Sequence, residues 1–447
     1  MKKISLALIG LLIVAAIYYF TTGSSQLTEK MQTEVSKQLT TLKSQGFTIE
    51  ERTKTDTSEH FVISVTEPTK IASYLNTKGV AVHKDDLELI KGLKLGVDIT
   101  YLTDAYSAAS FDFYPVTLPT FITQATLNPE EKQLVTELSK LLKKKTFLLH
   151  ADINKLANGF KGYIKDIHEV VEGSEKLKID ISDYHFNGDI KENKLSSITQ
   201  TIKDFSIFMN DNFHVTLKNL NTIYTRTGTH AYDYNTDYKI ESINAAFSSD
   251  YKLLTTNFSA KTASTVSNNL IAIDLQSNVD KIIITDKQNE TILDTTVYTM
   301  KANNFDLIAL EKLEKLGTNI TDDSIKEIKS TFKQLVSKGV HFEIKEFSTK
   351  SITHDKQKID GFKLMTNVDV DKSIDLDIFN KNPLGALNAF NADIDLTISN
   401  GLFGYAAKLP QAMMIMMFIQ PKDVNGNKVY KIRLKDGTLK INDKAMM

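Results

Sequence analysis

Three groups of residues have types suited to chemistry. "NVDVDKSIDLDIF" gathers Asp369, Asp371, Asp375 and Asp377 in one short stretch. Hard cations bind clustered carboxylates. Here the carboxylates alternate with Val368, Val370, Ile374, Leu376 and Ile378. That is the wet face of a strand, and no glycine supports a cation loop. "QAMMIMMF" concentrates Met413, Met414, Met416 and Met417. Thioethers suit Cu(I), but methionine also fills irregular apolar surface, and no histidine stands nearby. The stretch reads as packing or as part of an apolar ligand surface. The nine histidines (His60, His83, His150, His168, His185, His214, His230, His341 and His354) are scattered, with no two within ten residues. There is no H-E-x-x-H pair, no G-x-S-x-G elbow, no phosphate loop and no dinucleotide fingerprint. The expectation is a non-enzymatic protein with no catalytic, cofactor-binding or metal-binding residues. An enzyme whose site is assembled from residues far apart in sequence stays open as the alternative.

Composition narrows the partners. Lys and Arg number 54 against 55 Asp and Glu, a net charge of −1, so no basic field draws nucleic acid. Arginine occurs only at Arg52, Arg226 and Arg433, which leaves little bidentate phosphate or carboxylate recognition. Cysteine is absent, which excludes disulfides and thiolate chemistry. Apolar residues make up 41%, enough for a substantial core.

The elements that position these residues begin with an apolar run. Ile4 to Phe20 carries no charge and follows Lys2 and Lys3. As a helix it would be about 26 Å long, the short end of a membrane span. Small residues Gly23, Ser24 and Ser25 follow, but Tyr18, Tyr19 and Phe20 sit where a cleavable signal should taper. An uncleaved anchor is favoured, carried by Ile4, Leu8, Leu12, Ile17 and Phe20. The expected placement is single-pass in a bacterial inner membrane with the body in the periplasm. The domains are then a signal-anchor over 1–23, a juxtamembrane helix over 24–46 and a body over 47–447, with subdivision near 128–175 and 305–340.

Within the body, Asn128 and Pro129 open a helix whose stripe is Leu134, Leu138, Leu141 and Leu142, followed by the basic run Lys143–Lys145. "DLIALEKLEKLG" and "TDDSIKEIKSTFKQLVSKG" are two further helices, the second capped by Thr321 and burying Ile325, Ile328, Phe332 and Leu335. Elsewhere alternation dominates, as at Leu177–Ile181, Phe213–Leu217 and Ile271–Leu275. Several strands, among them "KIESINAAF", "TMKANNFDL" and "EIKEFSTKSI", break phase in the middle, which predicts a bulge or bend in each. The fold class expected is α+β: a transmembrane helix, then a long, bent, mostly antiparallel sheet with a few packed helices. Phe213, Leu217, Ile273, Met413 and Met417 are the candidate apolar ligand surface.

The C-terminus, "LPQAM" at 409–413 and then "NKVYKIRLKDGTLKINDKAMM", resembles the ending of the YdgA-like bacterial envelope proteins. Their closing strand carries a Gly-x-Leu-x-Val-Asn-Gly-Lys pattern. Gly437, Leu439, Asn442 and Lys444 match it, Ile441 replaces valine and Asp443 replaces glycine. The resemblance implies an inner-membrane-anchored periplasmic protein of unknown biochemical function, with no residue roles to carry over. The matching residues have structural roles: Gly437 for the turn, Leu439 and Ile441 for the core. Expected partners are the bilayer through the N-terminal helix, and a lipid or another protein in envelope maintenance. Self-association into a homo-oligomer is the remaining alternative.

Overall fold

The structure is a computed structural model that describes residues 28–77, 88, 90–101, 105–123, 129–172, 176–192, 194–209, 213–287, 289–317, 322–354, 356–372, 387–408 and 419–445. Two compact units divide between Ile223 and Tyr224.

Unit 1 holds strands β1 (Phe47–Lys54), β2 (Ser58–Val65), β3 (Lys94–Tyr101), β4 (Ser107–Thr117), β5 (Leu149–Asn154), β6 (Gly159–Ile164), β7 (Ile167–Val171), β8 (Leu177–Ser182), β9 (Tyr184–Lys191) and β10 (Lys194–Met209), with β11 (Phe213–Arg226) following. β1 to β6 pair in sequence order, all antiparallel. β6 then pairs with β9, and β7 with β8. β10 pairs with β9 along its first half and β8 along its second. One face is apolar: Phe61, Val97, Ile99, Phe111, Phe113 and Ala151 are all buried. Helix α1 (Thr28–Ser44) packs on β1 through Val35 and Leu39. Helix α2 (Pro68–Thr77) starts at its proline, as that residue's fixed φ favours, and buries Ile71. Helix α3 (Pro129–Lys143) buries Leu141 and Leu142 against β4 and β7.

Unit 2 is built from longer strands: β12 (Tyr234–Ala246), β13 (Tyr251–Ser267), β14 (Leu270–Asp286), β15 (Asn289–Asp306), β16 (His341–His354), β17 (Gln357–Val370) and β18 (Phe390–Ser399), then the short β19 (Lys422–Val424), β20 (Asn427–Lys435), β21 (Thr438–Ile441) and β22 (Lys444–Ala445). Neighbours pair antiparallel from β12 through β18, β18 pairs with β20, and β19 and β21 both pair with β20. Helices α4 (Leu307–Gly317) and α5 (Asp322–Val336) pack on each other and on β15. Asp306 caps α4, its carboxylate accepting from the Ala309 N–H at 2.9 Å. Helix α6 (Asn400–Ala406) is capped by Ser399 and lies on β17, β18 and β20.

A straight line of irregularity crosses unit 2. Pairing lapses at Glu241 with Asn257, at Asp280 with Thr295, at Thr295 with Lys350 and at Lys350 with Gly361, and resumes in the same register beyond. Asn257 and Thr295 have φ of 49° and 51°. A residue in that region between two extended stretches kinks its strand. The sheet is therefore creased across six neighbouring strands. Side chains replace the missing ladder bonds: Asn257 Nδ2 donates to Asp280 at 2.8 Å, Thr349 Oγ1 to the Asp294 carbonyl at 3.0 Å, and Ser351 Oγ to the Asp294 carboxylate at 2.9 Å. At Gly361 the neighbouring strand comes so close that a Cβ would lie 1.9 Å from the Thr349 carbonyl oxygen. Unit 1 shows a similar lapse where Asp183, at φ 52°, separates β8 from β9.

These findings correct the expected fold class. The described residues are mostly antiparallel sheet, with far more strand than helix, rather than α+β behind a membrane helix. Alternation prevails because strands of 13 to 18 residues make up most of unit 2, from β12 to β17. The helices are short and amphipathic, each presenting one apolar stripe to a sheet. Among the described residues no helix is long and apolar enough to cross a membrane. Single-pass placement in an inner membrane therefore has no support from the fold. The segment proposed for it, with Ile4, Leu8, Leu12, Ile17 and Phe20, lies outside the described residues, as do the caps Asn128 and Thr321. One helix face also differs: α5 buries Thr331, Leu335 and Val336, while Phe332 is exposed. Val336 joins Val340 in a small cluster with Phe305 and Phe390, which turns Phe332 away.

Candidate functional site

The two faces of unit 2 differ sharply. On one, Asp274, Lys301, Glu343, Asn367, Asp393, Arg433 and Lys440 stand opposite one another from β14 to β21. Their alternating charges pair directly, Lys301 with Asp274 at 3.0 Å and Arg433 with Asp393 at 2.9 Å. This is a solvated face.

The other face is apolar. One transverse row runs Leu275, Met300, Ile344, Thr366, Ile394, Ile432 and Ile441. A second runs Ser277, Tyr298, Phe347, Leu364, Leu396 and Tyr430. Bulges put the apolar side chains there. Ile344 and Phe347 are an odd number of residues apart, and the register shift between them brings both to the same side. The shift opposite Ile271 and Ile273 does the same for Ala302 and Phe305. Phe347 makes edge contacts with Tyr298 at 5.8 Å and Phe362 at 5.2 Å. From Leu275 to Ile432 every side chain of the first row is only partly buried, and so are Tyr298, Phe347, Leu364 and Leu396 of the second. Among the described residues, helices α4 and α5 contact the sheet at β15, and α6 contacts it at β17, β18 and β20. At about 4.8 Å per strand the first row is roughly 30 Å long.

Of the residues singled out from sequence, Ile273 lies on this face, beside Ala302. Leu439 and Ile441 close its rows, opposite Leu434 and Ile432. Phe213 and Leu217 are half-buried on β11 in unit 1 and do not join Ile273 within one unit. Met413 and Met417 lie outside the described residues. The C-terminal motif is structural. Asp436 and Gly437, at φ 49° and 74°, form the two-residue turn that joins β20 to β21. Asn442 is buried, accepts from the Lys431 N–H at 2.9 Å and donates to the Gln420 carbonyl at 2.8 Å. Lys444 is exposed on β22.

Sequence reasoning missed a polar row in unit 1. His60, Asp98, Asp112, His150, Tyr163 and His185 are successive cross-strand partners from β2 to β9. His60 Nδ1 lies 2.6 Å from Asp98, and His150 Nδ1 2.7 Å from Asp112. The same pairing of direct partners recurs at His168 with Asp180 (2.8 Å) and at His341 with Asp369 (2.7 Å). The same lateral contact thus recurs on four separate strand pairs. Asp369, drawn from the carboxylate cluster, is thus a partner of His341; Asp375 and Asp377 lie outside the described residues. Among the described residues no three His, Asp or Glu side chains are arranged to share a metal ion.

Lys145, from the basic run, is also engaged. It lies two residues past α3 with φ 49°, a conformation glycine adopts at less cost. Its ammonium donates to Asp98 at 2.6 Å and sits 3.9 Å over the Tyr114 ring. Burial works against the Asp98 charge, but Lys145 and His60 outweigh it and hold the carboxyl below its ordinary 3.8. Burial likewise raises the Tyr114 phenol.

Comparison with protein-family models, with curated proteins and with solved structures returned no match.

Proposed function

We propose that this chain is a non-enzymatic binder of elongated apolar ligands, lipid acyl chains foremost, which lie along the apolar face of unit 2. One observation carries the reading: two adjacent rows of mostly apolar side chains are for the most part left partly open to solvent while the opposite face carries a row of mostly charged ones. Burying a large apolar side chain is worth about 1.5–3 kcal/mol, and contiguous apolar patches beyond a few hundred Å² are uncommon on proteins without a partner for them. The rows offer few hydrogen-bonding groups, the hydroxyls of Ser277, Tyr298, Thr366 and Tyr430, so they suit a hydrocarbon chain better than a peptide with its own backbone donors.

The full chain, purified from a bacterial membrane extract, should carry lipid detectable by mass spectrometry and take up a fluorescent long-chain fatty acid. Phe347→Asp and Leu364→Asp should abolish uptake with circular dichroism unchanged, whereas Asn367→Asp on the charged face should not. Protein that comes out clean and takes up no fatty acid refutes the reading. Concentration-dependent self-association lost in the same two variants would assign the face to a second copy instead.

A further inference from the structure

His150 sits between two carboxylates. Its Nδ1 is 2.7 Å from Asp112 on β4, and its Nε2 is 3.3 Å from Asp152 on its own strand. An ionised carboxylate only accepts hydrogen bonds, and a neutral imidazole has one N–H to give. Both contacts are satisfied together only when the ring carries two protons. The ring also stacks on Tyr163 of β6, 4.9 Å between centroids and 27° between planes.

The surrounding groups reinforce the arrangement. Beyond Asp112 stand Asp98 on β3 and His60 on β2, with Lys145 from the end of α3 on Asp98. Asp152 also accepts from Ser110 Oγ at 2.5 Å and has Lys161 of β6 as its cross-strand partner. His185 of β9 lies beyond Tyr163. The cations of this neighbourhood are Lys161, the cross-strand partner of Asp152, and Lys145, on Asp98, and the two groups that touch the His150 nitrogens are both anionic.

We propose that His150 is a proton-operated clasp for the sheet of unit 1: as an imidazolium it ties β5 to Asp112 of β4 under Tyr163, and loss of one proton removes the charge that holds Asp112 across the strands, sets a lone pair against Asp152 and loosens β4 from β5. The Asp112 hydrogen bond raises the His150 pKa above 6.5 and outweighs burial, in accord with this geometry. A group raised in the folded state contributes stability that is complete below its unfolded value and is lost as pH rises through the folded one. Unit 1 should thus be held more tightly on the acid side of neutrality than on the alkaline side.

The test uses the full chain with 15N-labelled histidine, the His150 signals assigned by their absence in His150→Gln. At about pH 6.5, the ordinary imidazole value, both ring nitrogens should show protonated shifts, and the titration midpoint should lie above that of the free side chain. A single unprotonated nitrogen at that pH overturns the proposal. The unfolding midpoint of unit 1 in urea should fall between about pH 6 and about pH 9 in the wild type and fall less in His150→Gln. Equal falls in both overturn it. Should His150→Gln not fold, Asp152→Asn addresses the same contact: its His150 midpoint should drop, and an unchanged midpoint refutes the clasp.

Discussion

Replacing Gly361 with alanine tests whether the crease requires close strand approach. The added Cβ would meet the Thr349 carbonyl oxygen at 1.9 Å, while real Cβ atoms essentially never come within 3.0 Å of such a neighbour. The strands must separate by about 1 Å, and adjacent strands normally stand about 4.8 Å apart. Thr349 is itself buried, donates to the Asp294 carbonyl at 3.0 Å and pairs with Phe362, so it has little room to withdraw. Overpacking costs about 1–3 kcal/mol, and weakening one or two hydrogen bonds adds about 1 kcal/mol each. The expected loss is about 3 kcal/mol for Gly361→Ala. Urea unfolding followed by far-UV circular dichroism measures it, as a lower midpoint of the unit 2 transition at unchanged slope. Gly404→Ala is the control: nothing lies within 4 Å of its added Cβ, and it sits in α6, where alanine should gain up to about 1 kcal/mol. A Gly361→Ala protein within about 0.5 kcal/mol of the wild type would refute the reasoning.

Three further outcomes follow from the same geometry. Thr295 is a β-branched residue at φ 51°, so Thr295→Asn should stabilise unit 2 by roughly 0.5–1 kcal/mol in the same assay. Asn442→Ala removes a buried side chain bonded to two backbone groups; it should cost about 2 kcal/mol and speed hydrogen exchange at the Lys431 amide. Ser351 and then Lys358 hold the Asp294 carboxyl below its ordinary 3.8, so its contribution is full above that value and is lost as pH falls through the folded one. Ser351→Ala should move the acid-unfolding midpoint of unit 2 to higher pH.

What the sequence discloses is local. Pro68 at the start of α2, the α4 and α5 segments and the Asp436–Gly437 turn all follow from neighbours a few residues apart. The phase breaks are visible as odd spacings, such as Ile344 to Phe347. The crease is not visible, because its alignment depends on the register of six strands. The His–Asp partners are hidden for the same reason. His60 and Asp98 are 38 residues apart, as are His150 and Asp112. Of the apolar candidates Ile273 lies on the apolar face, but alternation alone could not show that Phe213 and Leu217 fall in the other unit. Helical stripes overstated the helical share, since a stripe reveals that a helix exists and not how much strand surrounds it.

The crease also bears on how such a chain can change in length. Each of the six strands gives up its regular pairing at the same point, so register holds on both sides only while all six keep the same count of residues there. A single deletion within β14, on either side of Asp280, would carry the far half of that strand to the opposite face. Insertions and deletions in relatives or engineered variants should therefore collect in the turns, at Ser248–Asp250, Lys287 or Lys356, where an added residue leaves every strand's count untouched.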